Sequence, residues 1–410
     1  MTALEKKSEY QICAGWLKNE TIGTLSVEQM RGKEVCSFSY DSDWLAAHGG
    51  LFLDPELLPY EGRQYAADGL FHFLGDAAPD RWGRRLIDKK ENWLAEQEER
   101  HPQMLNESGY LLRIADRGRT GGIRIFDGNQ YIAADGLEIP PAARLRMLQD
   151  AAWAFERNEP DFEKRWLNQL FSPGSSLGGA RPKANVRDEE GNLWIAKFSS
   201  VKDEWHTENW EAAVHDLAKL CGLSVPEARL ESVGGSEVFL IKRFDREGDK
   251  RIHFASAMTM TGKQDGDEAG FLDIAESISM YGSKPEEDLK ELWKRIAFSV
   301  ILSNTDCHLR NHGFLLTPEG WRLAPMYDVN PNPMGRYMAL ALSERRNERD
   351  LRLLIQTAGY YGIFHSEEEI EKMQSCIHDN LKSLCSKYRI DAAEMKMMSR
   401  AFLLDRAGMR

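Results

Sequence analysis

The stretch SNTDCHLRNHGFLL, from Ser303 to Leu316, places three short polar side chains immediately before an apolar run. Asp306, His308 and Asn311 stand close together, which a buried helix disfavours because every buried polar group needs a partner. A loop that handles phosphate and metal uses such residues. The stretch follows the helical pattern KPEEDLKELWKRIAFSVILSN and continues into the hairpin pattern GFLLTPEGWRLAPMYDV. We therefore expect a polar loop between a helix and a hairpin.

The bulk composition is that of a soluble globular protein. The chain has 410 residues, 42% of them hydrophobic and 29% charged, which allows two or three domains. No run of about 18 apolar residues is present, so no membrane span is expected. The start, MTALEKKSEYQICAGWLKNE, lacks the apolar core of a signal peptide. These features predict a cytoplasmic location without membrane contact.

The cysteines and the net charge exclude further classes. The six cysteines include no CxxC pair, so we predict reduced, mostly buried thiols. The formal net charge of −12 argues against broad binding to a phosphate backbone by this chain alone. A local basic patch, or contact with DNA through a basic partner, stays open.

The order of predicted elements separates a mixed first part from a helical last part. Short strands are expected in YQICAGWL, TIGTLSVEQM and EVCSFSYDSDWL, and Asp80 after Pro79 marks a helix start. A hairpin, ANVRDEEGNLWIAKFSS, is followed by the amphipathic helix TENWEAAVHDLAKLCGL and by two strands around a Gly-Gly turn. From about residue 270 the pattern becomes helical. This is an α+β layout with two lobes.

The stretch SSLGGARPKANV, residues 175–186, is a candidate phosphate-binding turn. Its glycines, Gly178 and Gly179 among them, free the backbone so that N–H groups can point at an anion. Lys183 stands at the end of the turn, where its ammonium could reach a phosphate. The stretch does not match GxxxxGK[ST], and a plain Ser/Gly loop is the alternative.

Lys197 lies in the centre of the apolar strand LWIAKFSS. Burial of an unpaired ammonium is costly, so the lysine either faces solvent from an edge strand or pairs with a carboxylate. In protein kinases a strand lysine that holds nucleotide phosphates pairs with a glutamate of the next helix. Glu208 and Glu211 are both available on that helix.

The opening stretch has the spacing D-x-x-x-x-N, with Asp306 and Asn311 at its ends. The spacing alone has little specificity, but a helix before it and a hairpin after it match the catalytic loop of kinases. There the aspartate lies near the acceptor hydroxyl and the asparagine binds magnesium. A zinc site at Cys307, His308 and His312 is the alternative, although no second group stands at zinc spacing.

Asp328, in LAPMYDVNP, follows the last strand of the hairpin, which should return it close to Asn311. A second hard oxygen ligand is what magnesium on a triphosphate needs. The alternative is a turn aspartate before Asn-Pro. The order of these parts, from glycine-rich turn to final aspartate, is that of a protein kinase. The pattern thus predicts a two-lobed, protein-kinase-like α+β fold with an N-terminal β-rich subdomain and a mainly helical C-terminal lobe.

The sequence resembles the HipA-type toxin kinases, the toxin half of bacterial toxin–antitoxin pairs. SSLGGARPKA, ENWEAAVHDLAKLCGLSVPE, LIKRFDR, NTDCHLRNHGFLL and LAPMYDVNP are similar to the kinase-core motifs of that family, in the same order. GTLSVEQMRGKEVCSFSYDSDWL and FHFLGDAAPDRWGRRLI look like its N-terminal domain. We predict an N-terminal subdomain at 1–137, a nucleotide-binding core at 138–265 and a helical lobe at 266–410.

The resemblance implies a role for each candidate residue. Asp306 would be the catalytic aspartate, and Asn311 and Asp328 would hold Mg²⁺. Residues 242–244 would form the hinge that reads adenine. The full ATP site would comprise Gly178, Gly179, Ala180, Lys183, Lys197, Lys242, Arg243, Phe244, His308, Asn311, Tyr327 and Asp328. Ser176, or the adjacent Ser175, would be autophosphorylated, which expels the glycine-rich loop and switches the enzyme off.

Two departures from the family pattern stand in this chain. Arg181-Pro182 replaces a Gln-Glu pair that many members have before the loop lysine, and proline stiffens that turn. DCHLRN stands where a basic residue often follows the aspartate. Neither change removes a group that the chemistry needs.

The resemblance implies an ATP-dependent serine/threonine kinase with ATP and Mg²⁺ as cofactors. Its partner would be a helix-turn-helix antitoxin of the HipB type, with DNA contacted only indirectly through the antitoxin. An aminoacyl-tRNA synthetase is one candidate protein substrate. The alternatives are a catalytically silent antitoxin-binding co-repressor and a small-molecule kinase.

Overall fold

The computed structural model describes residues 7–30, 32–132, 139–159 and 179–404. The chain divides into two compact units, residues 1–196 with 245–255 and residues 197–244 with 256–410. Within the described residues, no helix combines the length and the apolar character needed to cross a membrane.

The elements up to residue 198 alternate between short strands and helices. In chain order they are β1 (Lys7–Ala14), β2 (Glu20–Met30), β3 (Lys33–Tyr40), α1 (Ser42–His48), β4 (Gln64–Tyr65), α2 (His72–Gly75), α3 (Arg81–Gln97), α4 (Glu107–Leu112), β5 (Ile123–Phe126), α5 (Leu145–Glu156), β6 (Lys183–Arg187) and β7 (Leu193–Phe198).

The elements from residue 207 onward become mainly helical. They are α6 (Thr207–Leu220), β8 (Ala228–Val233), β9 (Ser236–Lys242), β10 (Arg246–Glu247), β11 (Lys250–Arg251), β12 (Phe254–Ser256), α7 (Ala257–Thr261), α8 (Phe271–Tyr281), α9 (Pro285–Ile301), β13 (Gly313–Thr317), β14 (Gly320–Leu323), α10 (Leu351–Thr357), α11 (Ser366–Lys387) and α12 (Ala392–Ser399).

The first unit is built on a five-stranded sheet in the order β4-β3-β2-β1-β5. The strands β1, β2 and β3 pair antiparallel with their sequence neighbours. Apolar side chains such as Ile12, Leu25 and Phe38 are fully buried and form a core with Phe71 from the α2 region. The first two predicted strands are therefore confirmed, although β1 ends at Ala14 and not at Leu17. Their buried side chains line this core.

The third predicted strand, EVCSFSYDSDWL, is wrong in its last part. The strand ends at Tyr40, and the helix α1 begins at Ser42. Asp41 caps that helix, since its carboxylate accepts hydrogen bonds from the backbone N–H groups of Asp43 and Trp44 at 2.9 and 3.3 Å. An aspartate that satisfies free N–H groups favours the helix over continued strand.

The second unit holds the helices and the hairpins that carry the polar loop. In the hairpin of β8 and β9, both turn glycines, Gly234 and Gly235, have positive φ. This conformation matches the twist of the strands and is nearly free of strain only for glycine. The long helix α9 begins at Pro285 and buries Trp293, whose indole N–H donates to Leu354 O at 3.2 Å. The helix therefore fixes the position from which the polar loop starts.

The six cysteines all lie among the described residues and are free thiols. Four are buried and two, Cys221 and Cys376, are partly buried. The prediction of mostly buried thiols is confirmed.

Candidate active site

An ion triad joins three segments of the second unit. The Lys197 ammonium, on β7, donates to a carboxylate oxygen of Glu211 on α6 and, at 2.6 Å, to Asp328 Oδ1. The side chains of Lys197 and Glu211 are 14% and 6% exposed, whereas that of Asp328 is 29% exposed. The alternative of an edge-strand lysine in solvent is therefore wrong, and Glu211 rather than Glu208 supplies the helix partner.

The triad keeps Lys197 protonated. Burial alone would lower the pKa of Lys197, but the carboxylates of Asp328 and Glu211 outweigh that effect and raise the pKa above its ordinary value. A permanently charged ammonium suits contact with an anionic group, because charge-assisted hydrogen bonds are the strong ones. One carboxylate of the triad is also partly open to solvent, so a ligand can approach it.

The polar loop begins with a left-handed turn and ends in a single 3-10 turn. Ser303 has a φ of 59°, and residues 309–311 form the 3-10 turn. Asp306 is exposed, although the residues before it are buried. The Asn311 Nδ2 group donates to Asp306 O at 2.7 Å, which closes the loop on itself. The closure fixes the backbone of Asp306 and leaves its carboxylate at the surface.

The loop is tied to the segment after β14. Ser303 Oγ donates to Asn332 O at 2.6 Å, and Asn332 Nδ2 donates to Thr305 Oγ1 at 3.0 Å. Gly335 lies so close to Thr305 that an added Cβ would come within 2.5 Å of its methyl carbon. The backbone of the loop is thus held from both sides near Asp306.

Asn311 and Asp328 lie on segments that touch. The Tyr327 hydroxyl donates to Arg310 O at 2.8 Å, and each of these two residues is the chain neighbour of one candidate ligand. Asp328 itself has a φ of 58°, an uncommon conformation that persists only where surrounding contacts support it. The Tyr327 ring also lies 5.6 Å from the ring of Phe244, centroid to centroid. The structure thereby brings Phe244, a predicted hinge residue, together with the aspartate segment.

The side-chain oxygen of Asn311 is a candidate metal ligand. Among the described residues, Asn311 Oδ1 is buried and accepts no hydrogen bond. A buried unsatisfied oxygen indicates a missing partner such as a ligand or an ion. The Asp328 carboxylate, on the adjoining segment, is a second hard oxygen donor of the kind that Mg²⁺ prefers.

The residues of the alternative zinc site are largely enclosed. Burial raises the pKa of the Cys307 thiol to about 12. Burial, then the nearby Arg295 and His308, lower the pKa of His312 to about 3. Within the described residues, no group of three or more His, Cys, Asp or Glu side chains is arranged to hold a metal. His308 is partly buried, and its Nδ1 atom has no hydrogen-bond partner there.

The remaining candidates divide between the two units. Lys242 and Arg243 lie at the end of β9 in the second unit, where Arg243 is buried. Gly179, Ala180 and Lys183 belong to the first unit. Ser175, Ser176 and Gly178 lie outside the described residues.

Lys183 has a partner that the sequence did not indicate. Its ammonium lies 3.0 Å from Asp80 Oδ2, and the two side chains are 5% and 2% exposed. The motif around Asp80 indicated only a helix start. No local pattern marks this pair, because the helix cap uses one carboxylate oxygen of Asp80 and tertiary packing sets the partner of the other.

A strand lysine paired with a helix glutamate on an α+β scaffold is the arrangement of a kinase-like fold. Residues 175–388 match the family model of the HipA-like C-terminal domain, and residues 14–111 match that of the HipA N-terminal domain. The chain belongs to the HipA family.

Curated relatives bear related names. A protein of Haemophilus influenzae named "Putative kinase" is 30% identical over 188 residues, which cover 39% of this chain and 54% of that protein. "Putative kinase Y4mE" of Sinorhizobium fredii is 31% identical over 146 residues, or 33% of each chain. "Toxin YjjJ" of Escherichia coli is 24% identical over 309 residues, or 66% of this chain and 62% of that protein. The chain thus spans between a third and just under two thirds of these relatives.

A solved structure shares the fold. It is the complex of Shewanella oneidensis HipA with HipB and its operator DNA, and the match covers 96% of this chain and 94% of that chain. The TM-score is 0.68 at 16% sequence identity. The prediction of an α+β, protein-kinase-like fold with a β-rich N-terminal part is confirmed.

Proposed function

We propose that the chain is an ATP-dependent serine/threonine protein kinase and the toxin component of a type II toxin–antitoxin system. The observation that carries this proposal is the triad of Lys197, Glu211 and Asp328. A partly buried lysine held protonated between a helix glutamate and a metal-binding aspartate is the phosphate-binding arrangement of kinases. The family membership of the chain supports the same conclusion.

The candidate residues of the second unit have separate roles in the proposed phosphoryl transfer. Lys197 binds ATP phosphates, and Glu211 keeps its ammonium in place. Asn311 Oδ1 and the Asp328 carboxylate hold Mg²⁺, which supplies charge neutralisation on the phosphates when bound. The segment 242–244 reads adenine, and Tyr327 and His308 line the nucleotide site.

Asp306 acts on the acceptor. Its exposed carboxylate orients a serine or threonine hydroxyl and accepts its proton late in the reaction. The bond between the γ-phosphorus and the bridging oxygen breaks, a bond from the hydroxyl oxygen to phosphorus forms, and ADP leaves. Positioning and charge stabilisation account for most of the rate, since this chemistry asks little covalent work of the protein.

The glycine-rich turn is the proposed regulatory element. Lys183, with Gly178, Gly179 and Ala180, covers the phosphates, and Ser176 or Ser175 receives a phosphoryl group from the enzyme itself. An added phosphate in a turn that binds phosphates would repel them, because it carries nearly two negative charges. Autophosphorylation therefore switches the kinase off.

The proposed partners follow from the family and from charge. A helix-turn-helix antitoxin of the HipB type binds the chain, and DNA is contacted through that antitoxin because the formal net charge of −12 disfavours direct contact. The substrate is a protein, and an aminoacyl-tRNA synthetase is one candidate.

The first test incubates the purified protein with labelled ATP and Mg²⁺ and maps the labelled peptides. Label on Ser175 or Ser176, absent from Asp306→Ala, is the expected result. Wild-type protein without any label is then examined by calorimetry with ATP. Nucleotide binding without label leaves a kinase that does not modify its own loop, whereas no binding overturns the kinase and favours the silent antitoxin-binding co-repressor.

A further inference from the structure

The first turn of α3 forms hydrogen bonds with the end of the glycine-rich turn. The backbone N–H of Trp82 donates to Gly179 O at 3.3 Å, and its indole N–H donates to Lys183 O at 3.0 Å. One residue thus binds both ends of the segment 179–183, across 101 positions of sequence in the case of Lys183. The two contacts hold the backbone of the segment but not the ammonium of its lysine.

The ammonium is held by Asp80. The Oδ1 atom of Asp80 accepts a hydrogen bond from the Gly83 N–H at 2.7 Å, which caps α3. Its Oδ2 atom forms the ion pair with Lys183 at 3.0 Å. Both side chains are nearly inaccessible, and a buried ammonium needs a counter-charge. The N-cap of α3 therefore determines where the lysine charge stands.

The ammonium also lies against the turn itself. Gly179 has a φ of +111°, and a Cβ added there would come within 3.0 Å of Lys183 Nζ. A side chain at this position would strain the backbone and crowd the ammonium. Helix cap, lysine and turn therefore form one packed assembly in the first unit.

We propose that Asp80 is a positioning residue that holds the Lys183 ammonium at the glycine-rich turn for contact with nucleotide phosphates. This inference rests on the proposed kinase function. An ammonium has three N–H donors, so pairing with Asp80 is compatible with a phosphate contact. Asp80 acts through Lys183 and does not itself touch the nucleotide.

The test substitutes Asp80→Asn, because asparagine caps a helix as well as aspartate does but carries no charge. Calorimetry with Mg²⁺ compares ATP with adenosine, which has no phosphate. We expect ATP to bind roughly tenfold more weakly, as for loss of one charge-assisted contact. Adenosine binding should stay unchanged. In turnover assays the KM for ATP should rise far more than kcat falls, and Asp80→Glu, which restores the charge, should recover much of the affinity.

Two controls isolate the charge of Asp80. Asp41→Asn makes the same change at the N-cap of α1 and should leave both affinities unchanged. In a Lys183→Met background, Asp80→Asn should weaken ATP no further, because residues that act through one contact are not additive. If Asp80→Asn alone unfolds at too low a temperature, the double variant is measured in its place. The double variant buries no unpaired ammonium, because Lys183 is also replaced.

The outcomes separate this inference from the function on which it rests. A wild-type protein that binds no ATP overturns both. Normal or tighter ATP binding by Asp80→Asn, beside a wild type that binds ATP, overturns only the positioning role. Equal weakening of ATP and adenosine, or a further loss of ATP affinity in the double variant, makes Asp80 a structural residue and also overturns it.

Discussion

Two ion-paired lysines, Lys197 in the second unit and Lys183 in the first, differ in how far their ion pairs are exposed to solvent. Lys197 has two carboxylate partners, and one of them, Asp328, is 29% exposed. Lys183 pairs with Asp80, and both side chains are at most 5% exposed. The first arrangement is open on one side, and the second is closed.

The difference indicates which lysine can exchange partners. Removing one partner of a fully buried ion pair costs about 3–5 kcal/mol, because the other charge is left without compensation. In the triad, Asp328 can leave Lys197 for another cation while Glu211 keeps the ammonium paired. We therefore interpret the triad as a group that can exchange partners, and the Asp80–Lys183 pair as a fixed support within its own unit.

The largest expected effect is that of Asp328→Ala. The substitution should lower phosphoryl transfer roughly a thousandfold or more, because it removes a proposed metal ligand and the most exposed member of the triad. Transfer is measured with labelled ATP and a protein acceptor. Glu319→Ala, which removes an exposed carboxylate from the same hairpin, is the control and should be fully active. Near wild-type turnover in Asp328→Ala would show that the triad is structural.

Replacement of each lysine by methionine should lower phosphoryl transfer to different extents. Lys197→Met should lower transfer roughly a hundredfold, and Lys183→Met roughly tenfold, as expected for loss of a reacting and of a supporting cation. Lys183→Met should also lower the free energy of unfolding by about 3 kcal/mol, since Asp80 stays buried without its cation. Rates and urea unfolding of both variants test the contrast. A larger loss of transfer in Lys183→Met would reverse the assignment of the two regions.

The sequence predicted those elements that are determined by residues close together in the chain. The helix α9 and the hairpin of β8 and β9 follow from a proline start, apolar periodicity and two turn glycines, and all of these act within a few residues. The order of the motifs also predicted the Lys197–carboxylate pair, because the strand and the helix that carry it are adjacent in the chain. The boundaries of the three predicted domains, near 137 and 265, stay predictions.

The sequence did not predict contacts between distant segments. Trp82 and Lys183 are 101 positions apart, and no pattern in either segment predicts contact with the other. Asp80 satisfied a local rule as a helix cap, so its second oxygen carried no visible signal. The choice between Glu208 and Glu211 likewise needed the packing of α6, since both residues are buried on that helix. Long-range pairing is set by tertiary packing, which local propensity does not encode.

A smaller effect is expected at Asn311, whose Oδ1 atom is a proposed metal ligand. Asn311→Ala should raise the Mg²⁺ concentration needed for half-maximal transfer roughly tenfold, the usual cost of one charge-assisted contact. Chelation of Mg²⁺ should abolish transfer in the wild type. Asn347→Ala removes a similar amide donor, which binds Met338 O at 2.9 Å, and serves as the control. An unchanged Mg²⁺ requirement in Asn311→Ala would exclude this oxygen as a ligand.

The smallest expected effect is the response of Lys197 to pH. Its pKa is raised because the carboxylates of Asp328 and Glu211 outweigh the effect of burial. A raised lysine pKa favours the charged form, so the stability from the triad is fully present below the unfolded value of about 10.4 and is lost only as the pH rises through the folded value. ATP affinity, measured by calorimetry, should therefore stay constant from about pH 7.5 to pH 9.5. Glu211→Gln removes one of the two carboxylates and should move the loss of affinity to lower pH. A decline in the wild type centred near pH 9 would mean that Lys197 is not held by the triad during nucleotide binding, and the contrast between the open and the closed lysine would then fail.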